Sequence, residues 1–228
     1  MADAVTPSTG GQQPEMAESP QPQLDGPGIL AALTEDDLSS PAQRERRARI
    51  LDVTLSLASR GGFDAVQMRE VAERADVALG TLYRYFPSKI HLLVSAMSRE
   101  FRKAAEKLER QPVPGDTAVD RVLFVLGRHT RTLQRTPMLT EAMTRAIMSA
   151  DASVANEVVE VDRHTRRMIT GAMTDGEPTD EHQAIAEVIG AVWLSSLMSW
   201  VMRRSSAEDV AKRLELAVRL LLGPNSGR

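Results

Sequence analysis

Helical periodicity along most of the chain is the feature that most constrains its fold. Apolar residues recur every three or four positions from residue 41 to residue 222, which predicts a succession of amphipathic helices. Only 4% of the residues are aromatic, and Ala, Leu, Val and Met dominate the apolar set, a composition that favours helices over strands. No segment has the pattern of a strand. We therefore expect an all-α fold of about nine helices.

Residues that start and stop helices divide the chain into four parts. Ser40, Pro41 and Gln43 form a capping-box pattern that predicts the start of the first helix. The preceding residues are rich in Pro, Gly, Gln and acidic side chains, which is typical of disorder. We expect a disordered acidic tail over 1–39, a small domain over 40–95, a larger helical domain over 96–223 and a short tail over 224–228.

Charge is distributed unevenly. The net charge is −3, but residues 1–40 contain seven acidic and no basic side chains, whereas residues 41–90 contain nine basic and six acidic ones. A local basic patch governs attraction to phosphate, so the net charge does not argue against nucleic-acid binding. The chain has no cysteine, which excludes disulfides and thiolate metal sites. No apolar run approaches the ~18 residues of a membrane span, so we expect a cytoplasmic protein that does not enter the membrane.

Two short helices joined by a tight turn are predicted between residues 68 and 86. The first covers 68–75 and the second 78–86, and Asp76 in the turn tolerates the left-handed backbone conformation that such a turn needs. This arrangement is the helix-turn-helix pattern, in which the second helix enters the major groove of DNA. Gly80 has no Cβ to hold that helix away from DNA.

The unbroken segment from Gly62 to Lys89, GFDAVQMREVAERADVALGTLYRYFPSK, resembles the DNA-binding signature of the TetR family of transcriptional regulators. The resemblance is strong over 41–95 and continues beyond it in helix number and layout. Ala78 and Asp76 depart from the family pattern, which has a capping Ser or Thr and a turn glycine at these positions. The DNA contacts that the resemblance implies are Gln67, Leu79, Gly80, Thr81, Tyr83, Arg84, Tyr85 and Lys89.

Two groups of these candidates have an alternative interpretation. Arg44, Arg46 and Arg47 would reach a flanking phosphate or the minor groove, or they form an ordinary solvated helix face. The rings of Tyr83 and Tyr85 would contact DNA, or they pack within the domain.

The second domain has the composition of a small-molecule sensor. Eight of the eleven methionines lie beyond residue 95, and methionine suits an adaptable apolar cavity, although it fills protein cores equally well. The candidate ligand-lining residues are Met97, Met138, Met143, Met148, Met168, Trp193 and Met198.

The resemblance also implies a homodimer, because the last two long helices of TetR-family proteins commonly pair with those of a second subunit. Here the last two predicted helices are the most apolar of the chain, and the candidate interface residues are Ile185, Val188, Val192, Leu214, Ala217 and Leu221. Two recognition helices would then lie about 34–36 Å apart, which predicts a palindromic operator in double-stranded DNA.

Further segments, among them 42–47, 66–69, 138–145, 150–153 and 192–195, are similar to TetR-family repressors of sterol (cholesterol) uptake and catabolism in actinobacteria. This resemblance implies a repressor that is released from DNA by a coenzyme A thioester of an early sterol catabolite. Arg128, Arg131 and Arg135 would meet the CoA phosphates, or they form a solvated face.

Two other functions remain open from the sequence. One is a TetR-type regulator that senses a drug or a fatty acyl-CoA, and the other is a helical ligand-binding or scaffolding protein that never binds DNA. The four histidines lie on separate segments without catalytic or metal-binding spacing. We therefore expect neither an enzyme nor a metal or cofactor site.

Overall fold

The computed structural model describes residues 38–223, and this part of the chain contains nine α-helices and no β-strand. The helices are α1 (Pro41–Ala65), α2 (Met68–Arg74), α3 (Leu79–Tyr85), α4 (Lys89–Glu109), α5 (Ala118–Arg135), α6 (Pro137–Met148), α7 (Ala155–Met173), α8 (Asp180–Val201) and α9 (Ala207–Leu222). A short 3-10 helix, Ala152–Val154, precedes α7. The all-α prediction is confirmed. Residues 1–37 of the expected acidic tail and the expected tail 224–228 lie outside the described residues.

Helix α1 begins where the sequence predicts it. The Ser40 Oγ accepts a hydrogen bond from the Gln43 N–H at 3.2 Å, and the Gln43 Oε1 accepts one from the Ser40 N–H at 3.2 Å. Regular helix stops at Gly61 and Gly62, and Gly62 has a φ of 67°, a conformation that favours glycine. One further turn, residues 63–65, follows this kink and points toward α6.

The turn between α2 and α3 has the predicted geometry. Asp76 adopts a φ of 51°, and the Val77 N–H donates to the Ala72 carbonyl at 3.0 Å. The Arg49 Nε of α1 donates to the Ala75 carbonyl at 2.7 Å, which fixes the turn against the first helix. Ala78 precedes α3 without a side-chain cap, as its methyl group dictates.

Helix α4 is shared by the two halves of the protein. It begins after Ser88, whose Oγ accepts hydrogen bonds from the Ile90 and His91 N–H groups. Its first half packs into a core with α1, α2 and α3, and its second half packs into a core with α5, α7, α8 and α9. The predicted domain boundary at residues 95 and 96 therefore falls inside one continuous helix.

Helix α6 joins these two cores. Ala142 and Ala146 are buried in the first core, while Met143 is buried in the second. At the kink of α1, the Phe63 N–H donates to the Glu141 Oε2 of α6 at 3.0 Å. The Arg145 Nη1 lies 3.1 Å from the Asp64 Oδ2, so two residues of α6 contact the end of α1 directly.

Candidate nucleic-acid interface and ligand cavity

The solvent-facing side of α3 presents the residues expected of a recognition helix. Gly80, Tyr83 and Arg84 are exposed and share one face, because they are spaced three and four residues apart. Thr81 and Leu79 are half-buried beside them. The opposite face is closed, since Leu82 and the following Phe86 are fully buried. Helix α3 is thus attached by its apolar side and free on its polar side.

Gly80 is not required by the fold. A Cβ atom placed on it would meet no atom within 4 Å, and its backbone is not in a left-handed conformation. The space that a side chain would occupy is open solvent in the free protein. A surface that approaches α3 from that side would come close to the backbone.

The structure corrects one of the predicted DNA contacts, Tyr85. Its side chain is 2% exposed and belongs to the first core, with its ring 6.3 Å from that of Phe86, whereas Tyr83 is 44% exposed. On a helix of only seven residues, two positions two apart point to nearly opposite sides, so only one of these tyrosines is able to face DNA.

The basic residues of α1 make contacts within the domain as well as contributing to its surface charge. The Arg44 Nη1 donates to the Leu38 carbonyl at 3.1 Å, and Leu38 is itself buried in the first core. The Arg47 guanidinium lies 5.3 Å from the centre of the Phe86 ring, a cation–π distance. Arg46 is half-buried. At least two of the three arginines are therefore engaged within the domain.

Gln67 and Lys89 lie at the starts of two helices, α2 and α4. Gln67 is exposed before α2, and its Nε2 donates to the Asp64 carbonyl at 2.9 Å. The Lys89 Nζ lies 4.0 Å from the centre of the Phe63 ring, and the Arg145 guanidinium lies 4.4 Å from the same ring. Burial lowers the pKa of Lys89, while the carboxylate of Asp64 opposes this shift. Lys89 thus links the candidate DNA surface to α6.

A cavity of about 620 Å³ lies between α4, α5, α6 and the loop after α4. Its inner wall is largely apolar and includes Phe101, Val125, Leu133, Leu139 and Met143. The loop closes one side with Pro112, Val113 and Pro114. The size falls within the range of small-molecule sites, about 300–1,000 Å³.

Of the seven predicted ligand-lining residues, only Met143 lines this cavity. Met97, Met168 and Trp193 are buried in the second core, Met198 is half-buried, and Met138 and Met148 are exposed on the surface. These six residues do not line this cavity, because methionine fills gaps between packed helices as readily as it lines cavities. The lining of this cavity combines aromatic and β-branched side chains of α4 and α5 with residues of α6 and the proline-rich loop after α4.

Basic side chains surround the cavity mouth. Lys103, Lys107 and Arg128 line it and are exposed. Glu100 also lines it and is half-buried, and its Oε1 lies 3.0 Å from the Lys103 Nζ. Arg131 and Arg135, predicted to act with Arg128, are exposed on α5 outside the lining. The mouth therefore has a net positive charge, and the interior is apolar.

One titratable side chain lies on the inner wall. The His129 ring packs against those of Phe101 and Trp193, with centroid distances of 5.5 and 5.8 Å, and these two rings contact each other at 5.8 Å. The Trp193 Nε1 donates to the buried Thr130 Oγ1 at 2.9 Å, which fixes the indole behind the wall. Burial, with a smaller contribution from Arg128, lowers the pKa of His129 to about 4. At neutral pH its imidazole is uncharged.

Acidification is expected to destabilise the protein through His129. Because its pKa is about 4 when folded and 6.5 when exposed, the unfolded chain binds the proton first, and stability falls as the pH drops below 6.5. The expected loss at about pH 5 is about 2 kcal/mol of unfolding free energy. His164, whose pKa burial also lowers, adds to it. Denaturant unfolding of the wild type and His129→Phe at about pH 7 and pH 5 isolates the His129 contribution.

The variant is expected to lose less stability on acidification than the wild type. An equal loss in both proteins would contradict the assignment. The carboxylates with lowered pKa, Asp120, Asp151 and Asp209, do not interfere, because they are protonated only below their usual value of 3.8.

Helices α8 and α9 expose an unusually apolar surface, here called the α8–α9 face. It comprises the exposed apolar residues Ala184, Val188, Ala191, Leu194, Leu216 and Leu220. Of the predicted interface residues, Val188 belongs to this face, and Ile185, Val192, Ala217 and Leu221 are half-buried. The prediction that Leu214 lies on this surface is corrected, because Leu214 is 3% exposed and belongs to the core, whereas Leu216 is 61% exposed.

Helix α8 also meets the length and hydropathy criteria of a membrane span, with a mean hydropathy of 1.6. The prediction that no segment approaches those criteria is therefore wrong for α8. A packed helix of a water-soluble protein passes the same test, and Ala186, Ile189, Trp193 and Leu197 of α8 are buried against the rest of the chain.

Known proteins share this arrangement over most of the chain. Residues 50–96 match the model of bacterial regulatory proteins of the tetR family, and residues 115–221 match the tetracyclin repressor-like C-terminal domain. The chain is 59% identical over 194 residues to the HTH-type transcriptional repressor KstR of Mycolicibacterium smegmatis, covering 85% of this chain and 95% of that protein. It is 60% identical over 198 residues to KstR of Rhodococcus jostii, covering 87% and 92%.

A solved structure agrees with this similarity. The crystal structure of a TetR transcriptional regulator from Rhodococcus sp. RHA1 is 34% identical, covers 81% of this chain and all of its own length, and superimposes with a TM-score of 0.73. The fold of this chain matches that structure, two family models match its sequence, and relatives about 60% identical cover most of it. The chain therefore belongs to the TetR family of bacterial transcriptional regulators.

Proposed function

We propose that this protein is a dimeric transcriptional repressor of genes for sterol uptake and catabolism, released from a palindromic operator by a CoA thioester of a sterol catabolite. The similarity to KstR repressors along both the DNA-binding and the sensor regions carries this proposal. A repressor of this kind acts in the cytoplasm, where the bacterial chromosome lies.

The DNA contacts in this proposal come from the free side of α3 and its surroundings. Gly80, Tyr83 and Arg84 face the major groove, with Thr81 and Leu79 at the edge of the contact. Gln67 and Lys89 bind flanking phosphates from the starts of α2 and α4, where helix N-termini favour negative charge. Arg46 adds to this phosphate attraction, and Tyr85 is left out because it is buried.

The α8–α9 face supports the homodimer. Contiguous exposed apolar surface is costly in a monomer and typical of subunit interfaces. The small side chains Ala184 and Ala191 on this face let a second pair of helices approach closely. A two-fold axis through such an interface relates two recognition helices, as a palindromic operator requires.

The cavity supports an effector with an apolar body and an anionic end. Its apolar inner wall suits a sterol ring system, and Lys107 and Arg128 at its mouth suit phosphate groups. Two proteins with the same fold, FadR of Bacillus subtilis and FadR of Thermus thermophilus, were solved in complex with stearoyl-CoA and lauroyl-CoA. A thioester would bind with its acyl group inside the cavity and its CoA across the mouth.

Release from DNA requires the effector to prefer one arrangement of the two domains. Leu139 and Met143 of α6 line the cavity, and Glu141 and Arg145 on another side of α6 contact the end of α1. An acyl group that displaces α6 therefore alters the position of the helix-turn-helix. In the dimer this changes the spacing of the two recognition helices.

Fluorescence anisotropy with a palindromic operator from upstream of sterol-catabolic genes tests this function. We expect tight binding that weakens steeply with salt, because phosphate contacts release counterions. A sterol-acid CoA thioester is expected to release the DNA, whereas the free sterol and free CoA are not. Release by a fatty acyl-CoA instead would assign a different effector, and no binding at low salt would support a function without DNA.

A further inference from the structure

The charge of the first 37 residues is opposite to that of the region that follows them. Residues 1–37, here called the acidic segment, contain seven acidic and no basic side chains, a net charge of −7. Residues 41–90 contain nine basic and six acidic side chains and include the helix-turn-helix. The acidic segment and the candidate DNA-binding surface are therefore complementary in charge, as DNA and that surface are.

The structure fixes the point at which the acidic segment joins the domain. Leu38 is 4% exposed and belongs to the first core together with Leu82 of α3 and Phe86, which directly follows α3. The Leu38 carbonyl accepts a hydrogen bond from the Arg44 Nη1, and Arg47, one turn further along α1, lies against the Phe86 ring. The acidic segment therefore joins the domain close to the end of the recognition helix.

Three carboxylates are kept near this point by the covalent chain alone. Glu35, Asp36 and Asp37 directly precede Leu38, and three residues span at most about 11 Å. On the free side of α3, Arg84 is exposed, and no carboxylate of residues 38–223 lies within ion-pair distance of its guanidinium. Helix α3 itself carries no acidic side chain. A cation without a partner thus lies on the helix beside which the acidic segment joins the domain.

We propose that the acidic segment docks on the free side of α3 when DNA is absent, and that DNA displaces it on binding. This inference rests on the proposed function, since the docked surface is the one proposed to bind the operator. A tethered segment has an effective concentration on the order of millimolar at a surface within its reach, so even weak ion pairs compete with DNA. The acidic segment lowers the affinity for every duplex by the same factor, because any duplex must displace it.

Neutralising the three nearest acids tests this inference in the full chain. The variant is Glu35→Gln/Asp36→Asn/Asp37→Asn, which changes no residue of the described domain. We expect it to bind both the operator and a scrambled duplex of equal length roughly tenfold more tightly than the wild type at low salt. The difference is expected to vanish at high salt, where ion pairs between exposed groups are screened.

A matched control separates docking from the change in net charge. Asp175→Asn/Glu177→Gln/Glu181→Gln also removes three negative charges, from exposed residues between the end of α7 and the start of α8. Helix α7 starts beside the DNA-binding region, where the Ser153 carbonyl lies 3.0 Å from the His91 Nε2 of α4, and its other end is about 28 Å away. The control is therefore expected to bind both duplexes as the wild type does.

A second measurement detects docking without DNA. Phenylglyoxal modifies exposed arginines, and mass spectrometry of the digested protein gives the rate at Arg84. Carboxylates docked on α3 cover this guanidinium, so at low salt we expect several-fold slower modification in the wild type and the control than in the neutralised variant.

The remaining outcomes are distinct. Equal modification of Arg84 in the wild type and the neutralised variant would overturn the docking on α3, whatever the DNA affinities. An equal gain of DNA affinity in the neutralised variant and the control would overturn the competition, because it would be an effect of net charge. Either result would leave the proposed function intact, whereas failure of all three proteins to bind DNA would reject the proposed function and leave the Arg84 rates as the test of docking.

Discussion

Gly80→Leu is expected to abolish operator binding while leaving the protein folded and slightly more stable. A Cβ at this position meets no atom of the protein within 4 Å, so the new side chain projects into solvent on the free side of α3. Replacing a helical glycine with leucine favours the helix by roughly 0.5–1 kcal/mol. The same side chain would separate α3 from the bases, and we expect operator affinity to fall on the order of 100-fold or more, about 2.7 kcal/mol.

The measurement pairs operator anisotropy with denaturant unfolding. Gly171→Leu is the matched control, because Gly171 is also helical and exposed and a Cβ there meets nothing within 4 Å, but it lies on α7, far along the chain from α3. The control is expected to bind operator normally. If Gly80→Leu also bound normally, the free side of α3 would not be the DNA-binding surface.

Leu216→Arg is expected to dissociate the dimer. The residue is 61% exposed on the α8–α9 face, so an arginine causes no steric conflict within one chain. In a dimer built on this face, it would bury an unpaired charge beside its symmetry mate, which is strongly unfavourable. We expect the dimer dissociation constant to rise on the order of 1,000-fold, and operator affinity to fall with it, since a monomer reaches only one half-site.

Sedimentation velocity and operator anisotropy on the same samples check this prediction. Leu194→Arg, on α8 of the same face, is expected to act alike, and Val159→Arg is the matched control, an exposed apolar residue on α7. Dimers that persisted in both Leu216→Arg and Leu194→Arg would show that another surface pairs the subunits. Monomers that still bound a full operator tightly would contradict the need for a dimer.

The helix-turn-helix was the most predictable part of the structure because its signals are local. The capping box at Ser40 and the left-handed turn at Asp76 each depend on a few consecutive residues. They appear in the structure at the predicted positions. The exposure of Tyr83 and burial of Tyr85 depend instead on the rotation of α3 about its axis, which is set by packing against α2 and the rest of the first core.

The sensor region was less predictable for a related reason. Helix α8 is apolar on most sides, so its sequence does not distinguish the side that packs inward from the side that stays exposed. Helix α9 has leucines on both sides, and Leu214 and Leu216 were separated only by the structure. The cavity combines residues from three helices and a loop, so no single stretch of the sequence predicts its lining.

The placement of α6 has a consequence for how such a repressor changes over generations. Leu139 and Met143 line the cavity, whereas Glu141 and Arg145 hold the end of α1 from another side of the same helix. In the proposed mechanism, mutations that reshape the cavity for a new inducer therefore need not touch the residues that connect α6 to the DNA-binding region. Gene duplication in nature, and laboratory evolution of biosensors, are therefore able to change the ligand specificity of such a repressor while its DNA binding is kept.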